Sequence, residues 1–259
     1  MIVIAIDIGN TWTKVGIFLR KKLAGQLNIP SLPSPSPAKV WLQLSSFFRA
    51  KKIPLELISG SVISSVVPPL SRKFSSLIKR HLRIDPLIIS GTSAGGLRIY
   101  YENPKTLGAD RICSAVAAFH NYGGPVIVVD FGTATTYDVI TKNGAFLGGA
   151  ITPGLGITSL ELHNRTAQLP KVKLRFPKSV IGKTTIESIQ SGILYGTVDA
   201  MEGMIRRIKT ITGKSTKVVL TGGFSHLIKA KSSIAASFEP SLVLQGARLI
   251  YEHVHREGK

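Results

Sequence analysis

Two stretches of the chain carry residue types suited to holding phosphate. IVVDFGTATTYDVI, residues 127–140, ends an apolar run on Asp130 and follows it with glycine and clustered threonines. IAIDIGNTWTKVGI, residues 4–17, has the same layout around Asp7. A buried strand gains nothing from an aspartate at its end, but that edge is where α/β sheets bind ligands. Glycine lets the backbone come close, and the amides of the following turn can point at an anion. The carboxylate itself repels phosphate, so this chemistry needs a cation such as Mg²⁺. Lys14 adds positive charge beside the first turn. Two such turns facing each other would grip one nucleotide from both sides. The plainer alternative is a β-turn whose Asp caps its own backbone. The repeat of the pattern at an offset of 123 residues weighs against that for both copies together.

A third element is KTLGADRICSAV, residues 105–116. Gly108-Ala109-Asp110-Arg111 opens a helix, with Asp110 and Arg111 in its first turn. Backbone amides and Arg111 favour an anion there. Asp110 is a candidate general base, because phosphoryl transfer to an alcohol needs a carboxylate near the attacking hydroxyl. An N-terminal helix Asp that only complements the helix dipole has the same spacing, so the residues alone leave both readings open. Neither a Walker P-loop nor a GxGxxG fingerprint occurs. His81, His120, His163 and His226 are isolated and show no zinc spacing, and no Gly-x-Ser-x-Gly elbow is present.

The elements that position these residues can be read from periodicity. Apolar runs at 2–6 and 15–19 flank the first Asp-Gly turn, and Lys21 to Gly25 offers a hairpin turn. PSLPSPSP at 30–37 is a loop. AKVWLQLSSFFRAKK and PLSRKFSSLIKRHL carry helical spacing, with a strand in ELISGSVISSVVP between them. The second half repeats the grammar: VIVVD, TYDVI, a Lys142-Asn143-Gly144 turn, FLGGAITP, helices near 154–167 and 185–210, the strand VVLTGG and a final helix over 240–256. Three strands, helix, strand, helix, twice over, predicts a duplicated α/β fold with domains at 1–118 and 119–259.

The bulk composition is consistent with this. Hydrophobic residues make up 44% of the 259 residues and charged ones only 18%, enough for a sizeable core. The single cysteine, Cys113, excludes an internal disulfide and reads as a small core residue in a reduced, cytoplasmic protein. No apolar stretch approaches the length of a membrane span, and neither a signal peptide nor an anchor is suggested. The net charge of +19 is spread, with 16 basic against 5 acidic residues up to 118 and 17 against 9 beyond it. The basic clusters lack interleaved aromatics, so the charge suits anionic small substrates better than a nucleic-acid partner.

Taken together, these motifs resemble those of type III pantothenate kinases, within the acetate and sugar kinase/heat-shock protein/actin superfamily. Asp7-Ile8-Gly9-Asn10-Thr11 with Lys14 resembles the family's first phosphate motif, and Asp130-Phe131-Gly132-Thr133-Ala134-Thr135 its second. Tyr101-Glu102-Asn103-Pro104 followed by Leu107-Gly108-Ala109-Asp110-Arg111 resembles its substrate and catalytic motif. Ile151-Thr152-Pro153-Gly154, Thr166 to Pro170 and Thr185 to Gly192 fit as well.

The resemblance implies an actin-like ATPase fold of duplicated ribonuclease H-like domains, with mixed central sheets flanked by helices. It implies ATP-dependent phosphorylation of pantothenate, with Asp110 as the base. Asp7, Ile8, Gly9, Asn10, Thr11, Trp12, Thr13, Lys14 and Thr133 would bind ATP, with Asp7 near Mg²⁺. Asp130 would hold a monovalent cation, K⁺ or ammonium. Tyr101, Gly108, Ala109, Asp110, Arg111 and Thr185 would contact pantothenate in a homodimer. Trp12, where the family usually has a small polar residue, and Lys183-Thr184, where it has Asn, depart from the pattern. A non-catalytic regulator on the same scaffold is the competing expectation; the joint presence of Asp7, Asp110, Arg111 and Asp130 argues against it. A different sugar or acid kinase of the superfamily is another, which Tyr101 to Arg111 discriminates.

Overall fold

The computed structural model describes residues 1–257 and divides into two compact units. The first comprises Met1–Asn121 together with the C-terminal segment from Leu242, and the second spans Tyr122–Ser241. The sequence reading put the boundary three residues earlier and left the C-terminal segment in the second half.

In the first unit, β1 (Ile2–Ile8), β2 (Trp12–Leu19) and β3 (Lys22–Pro30) form an antiparallel meander. The hairpin between β2 and β3 turns at Arg20, which takes a left-handed φ of 56°, so Gly25 lies inside β3 rather than in the expected turn. After α1 (Pro37–Ala50), β4 (Ile58–Ser65) returns parallel to β1, and α2 (Pro68–Leu82) leads to the short β5 (Leu87–Ile88). The sheet order is β3-β2-β1-β4-β5.

Helical spacing sets which faces are buried. Val40, Leu44 and Phe48 of α1 and Leu70, Phe74, Leu77 and Ile78 of α2 cover one face of the sheet, against Ile4, Ile6, Ile8 and Ile63. Ser36 caps α1 by accepting from the Lys39 amide, and Pro37 follows at the first helical position, so the proline-rich loop ends in a helix start. A two-residue strand, β6 (Arg98–Ile99), precedes α3 (Ala109–Tyr122).

The C-terminal helix α7 (Leu242–Glu257) packs on β1, β2 and β4. Two glycines make this possible. A Cβ on Gly246 would lie 1.8 Å from the Cys113 carbonyl oxygen of α3, and one on Gly60 would lie 1.9 Å from the Tyr251 hydroxyl. This close packing, between elements far apart in the chain, is why α7 belongs to the first unit.

The second unit repeats the plan. Here β7 (Val126–Phe131), β8 (Ala134–Ile140) and β9 (Ala145–Pro153) form the antiparallel meander. Two helices follow, α4 (Leu155–Asn164) and the long α5 (Thr185–Thr212). Then β10 (Lys217–Thr221) runs parallel to β7, and α6 (Ser225–Lys229) leads to β11 (Ser237–Phe238) beside β10. Within this unit the strands therefore lie in the order β9-β8-β7-β10-β11, element for element the order of the first sheet. Ile193, Leu194, Val198, Met201 and Ile205 of α5 bury one face of it, against Ile127, Val129, Val218 and Leu220.

Candidate active site

Asp7 lies one residue before the end of β1 and is 8% exposed. Across the hairpin it pairs with Lys14, and on the parallel side with Ser64 of β4. The turn between β1 and β2 is closed by the Gly9 amide donating to the Trp12 carbonyl at 3.0 Å. Asn10 and Thr11 are exposed on it, and Trp12 is 49% exposed, so the indole stands outside the turn instead of filling it. Thr13 points inward, its hydroxyl 3.0 Å from that of Ser31. Ile8 is part of the core, which leaves only its backbone for the turn. Lys14 is half-buried.

Asp110 stands at the second position of α3, as its spacing predicts. Its Oδ1 accepts the Arg111 amide at 2.8 Å. Burial raises its pKa, and the Arg111 amide and guanidinium oppose that without reversing it. A Cβ on Gly108 would fall 2.4 Å from Asp110 Oδ1, so this glycine leaves the carboxylate its room. Arg111 is itself buried, with its guanidinium carbon 5.8 Å from the centre of the Tyr101 ring. Ala109 contributes a buried methyl and a backbone amide.

The end of β4 joins the two aspartates. Val66, just past β4, donates its amide to the Ile8 carbonyl at the end of β1, and its side chain is the next neighbour of the space beside Gly108. Cys113, one turn after Asp110, reports on both carboxylates. Its thiol pKa is pushed well up, first by complete burial and then by the charges of Asp7 and Asp110, with Ser64 opposing. The sequence reading made Cys113 a core residue, and it is fully buried. The first unit thus brings Asp7, Asp110 and Arg111 to one edge of its sheet.

The second unit has the matching edge. Asp130 on β7 pairs with Thr136 on β8 and with Thr221 on β10. Its turn is closed by the Gly132 amide donating to the Ala134 carbonyl at 3.1 Å, one residue shorter than the first turn. Gly222, at φ +91°, brings its backbone against Asp130; a Cβ there would be 2.4 Å from Oδ1. Gly154 comes equally close to the Gly132 and Thr133 carbonyls, at 2.5 and 2.4 Å from its would-be Cβ. The Thr133 side chain is exposed. Thr185 opens α5 after the N-cap Thr184, which accepts the Glu187 amide at 3.2 Å while Glu187 accepts from the Lys183 amide at 2.9 Å. Thr185 lines an open cavity of about 450 Å³ with Thr158, Leu162, Leu169 and Ile189.

Ser64, Ser31 and Thr221 were not singled out from the sequence. The available signal was a hydroxyl at the carboxyl end of each parallel strand, in VISS and in VVLT. Among the described residues, no three His, Cys, Asp or Glu converge on a point, and no helix is long and apolar enough to cross a membrane.

Two repeated units of this strand order, each with an aspartate at a glycine turn, make up an actin-like ATPase fold. Solved structures share it. A chain described as a Baf family transcriptional activator from Campylobacter jejuni aligns over 98% of this chain and 99% of its own, with a TM-score of 0.59 and 19% identity. The ROK hexokinase of Thermus thermophilus covers 98% of this chain and 100% of its own, with a TM-score of 0.51 and 15% identity. These likenesses show the fold alone, so the first lends no weight to a regulatory role.

A family model of type III pantothenate kinase matches residues 3–207. The type III pantothenate kinase of Roseiflexus sp. (strain RS-1) is 43% identical over 249 residues, 96% of this chain and 98% of the relative. That of Thermomicrobium roseum is 42% identical over 251 residues, 97% of both. The chain belongs to the type III pantothenate kinase family, and it is a kinase that uses ATP.

Proposed function

We propose that this chain transfers the γ-phosphoryl group of ATP to the primary hydroxyl of pantothenate, giving 4'-phosphopantothenate and ADP, the first step of coenzyme A synthesis. The observation that carries this reading is Asp110. It is a carboxylate at a helix N-terminus, with a pKa raised by burial and an arginine beside it. A raised pKa makes a carboxylate a stronger base once it is ionised.

In the reaction, Asp110 accepts the hydroxyl proton as the substrate oxygen bonds to the γ-phosphorus and the bond to the β–γ bridging oxygen breaks. Arg111, held over Tyr101, orients the pantothenate carboxylate. The turn from Asp7 through Trp12 and Thr13 to Lys14 supplies amides and one ammonium group to the phosphates. Thr133 of the second unit is assigned to ATP by the same resemblance, and Thr185 to pantothenate.

The residues present fit the two cations that the family implies. Asp7 is a nearly buried carboxylate at the phosphate turn, as a hydrated Mg²⁺ accompanying ATP requires. Mg²⁺ would neutralise phosphate charge. Gly222 and Gly132 lie against Asp130 Oδ1, so two glycines leave room at a carboxylate oxygen, a hard donor suited to K⁺ or ammonium. Homodimer formation and a cytoplasmic location complete the reading.

The test is turnover of purified protein with ATP and pantothenate, with and without K⁺, beside Asp110→Asn. K⁺-stimulated 4'-phosphopantothenate formation, reduced at least about 100-fold in the variant, is expected. No product from the wild type in either salt overturns the assignment.

A further inference from the structure

Each sheet repeats one pairing besides the aspartate turn. Asp7 shares its register position in the parallel pair with Ser64, and Asp130 shares its own with Thr221. Both hydroxyl residues are buried, Ser64 at 0% and Thr221 at 2% exposure. Neighbours at one register of a parallel pair project from the same face, with strands less than 5 Å apart. A duplicated fold has thus placed a buried hydroxyl beside each of its two site carboxylates.

The Ser64 hydroxyl is shut off from solvent and has no hydrogen-bond partner. The adjacent Cys113 thiol is a weak bonding group and does not meet it in bonding geometry. A buried donor left unsatisfied destabilises the fold, and alanine would fit the same space without that cost. An apolar residue is therefore the better choice for stability alone.

We infer that Ser64 is a positioning residue for the Asp7 carboxylate, donating its hydroxyl to Asp7 or its bound water when a cation and phosphates occupy the turn. The inference rests on the assignment of Asp7 to the cation–phosphate site. Ser64 holds one carboxylate oxygen so that the other faces the ligand, much as partners behind a metal ligand fix its orientation.

Binding of ADP to the full-length protein, with and without Mg²⁺, tests this by calorimetry, and quenching of the exposed Trp12 provides a second signal. Ser64→Ala is expected to weaken MgADP binding about tenfold and to leave metal-free ADP binding unchanged. Its ligand-free melting temperature stays equal to the wild type or rises, and Ser64→Thr recovers MgADP affinity to within about threefold. Wild-type MgADP affinity in Ser64→Ala overturns the proposal. So does equal weakening with and without Mg²⁺ accompanied by a lower melting temperature, which marks a merely structural role. A wild-type protein that fails to bind MgADP overturns the phosphate-site reading itself, a result distinct from either.

Discussion

Asp130 stands opposite Thr136 on the neighbouring strand, six residues on, whereas the first hairpin sets Asp7 opposite Lys14, seven residues on. The shorter second turn shifts the strand register by one, so the residue opposite the aspartate is a lysine in the first unit and a threonine in the second. Asp7 has a lysine at its register position and Asp130 does not, which suits the monovalent cation proposed for Asp130. Asp130→Asn should therefore abolish K⁺ stimulation, measured as the ratio of rates with and without K⁺. Thr136→Lys should place an ammonium beside Asp130 and give turnover that no longer responds to K⁺.

Asp110 sets stability against activity. Its folded-state pKa lies above that of the unfolded chain, because burial disfavours the charged form. Between the two values the native state binds more protons than the unfolded one, so stability falls as pH rises through that window and stays lowered above it. Asp110→Asn removes the penalty. The variant should melt higher than the wild type near neutral pH, and the difference should vanish in acid below both values. With Asp110 as the proposed base, catalysis has the opposite dependence, since the base must be ionised. Wild-type kcat/KM should rise with pH through the raised pKa, and the residual activity of Asp110→Asn should lose that limb.

Arg111 and Tyr101 act as a pair. The buried guanidinium lies over the ring, and its fixed fork suits a carboxylate. Arg111→Lys keeps the charge but loses the bidentate geometry, and should raise the KM for pantothenate about tenfold with a smaller change in kcat. Tyr101→Leu should shift KM in the same direction. Steady-state kinetics at saturating ATP separate the two constants.

A buried ion pair lies within α7, four residues apart on one face of the helix. Arg248 and Glu252 meet at 2.6 Å with side-chain exposures of 7% and 10%, and Arg248 also lies 5.5 Å over the Phe18 ring. Arg248→Met leaves the buried Glu252 with only the exposed Arg256, at 3.8 Å, and should cost about 3 kcal/mol, read by urea denaturation. Arg248→Met with Glu252→Leu should recover most of that loss, because the desolvated charge is gone.

The elements that carry the candidate site were legible in the chain. Alternating and helical spacing placed β1, β2, β4, β7 and β8 within a few residues, and an aspartate followed by glycine at a strand end marked both turns. Asp110 fell in the first turn of a helix as its flanking residues required. These are local properties, dictated by side-chain periodicity and backbone freedom over a few residues.

What depends on contacts between distant segments was not legible. The final helix reads the same whether it packs on the first or the second unit, and the choice lies in Gly246 against Cys113 and Gly60 under Tyr251. Ser64 is one of many serines until β4 sets it beside Asp7. The one-residue difference between the hairpins is invisible in an alignment that matches Asp7 to Asp130. By itself the sequence determined the elements, their repetition and the residue types available for phosphate chemistry. Only the tertiary structure decided which charge or hydroxyl stands beside each aspartate, because strand register and helix docking arise from packing between segments far apart in the chain.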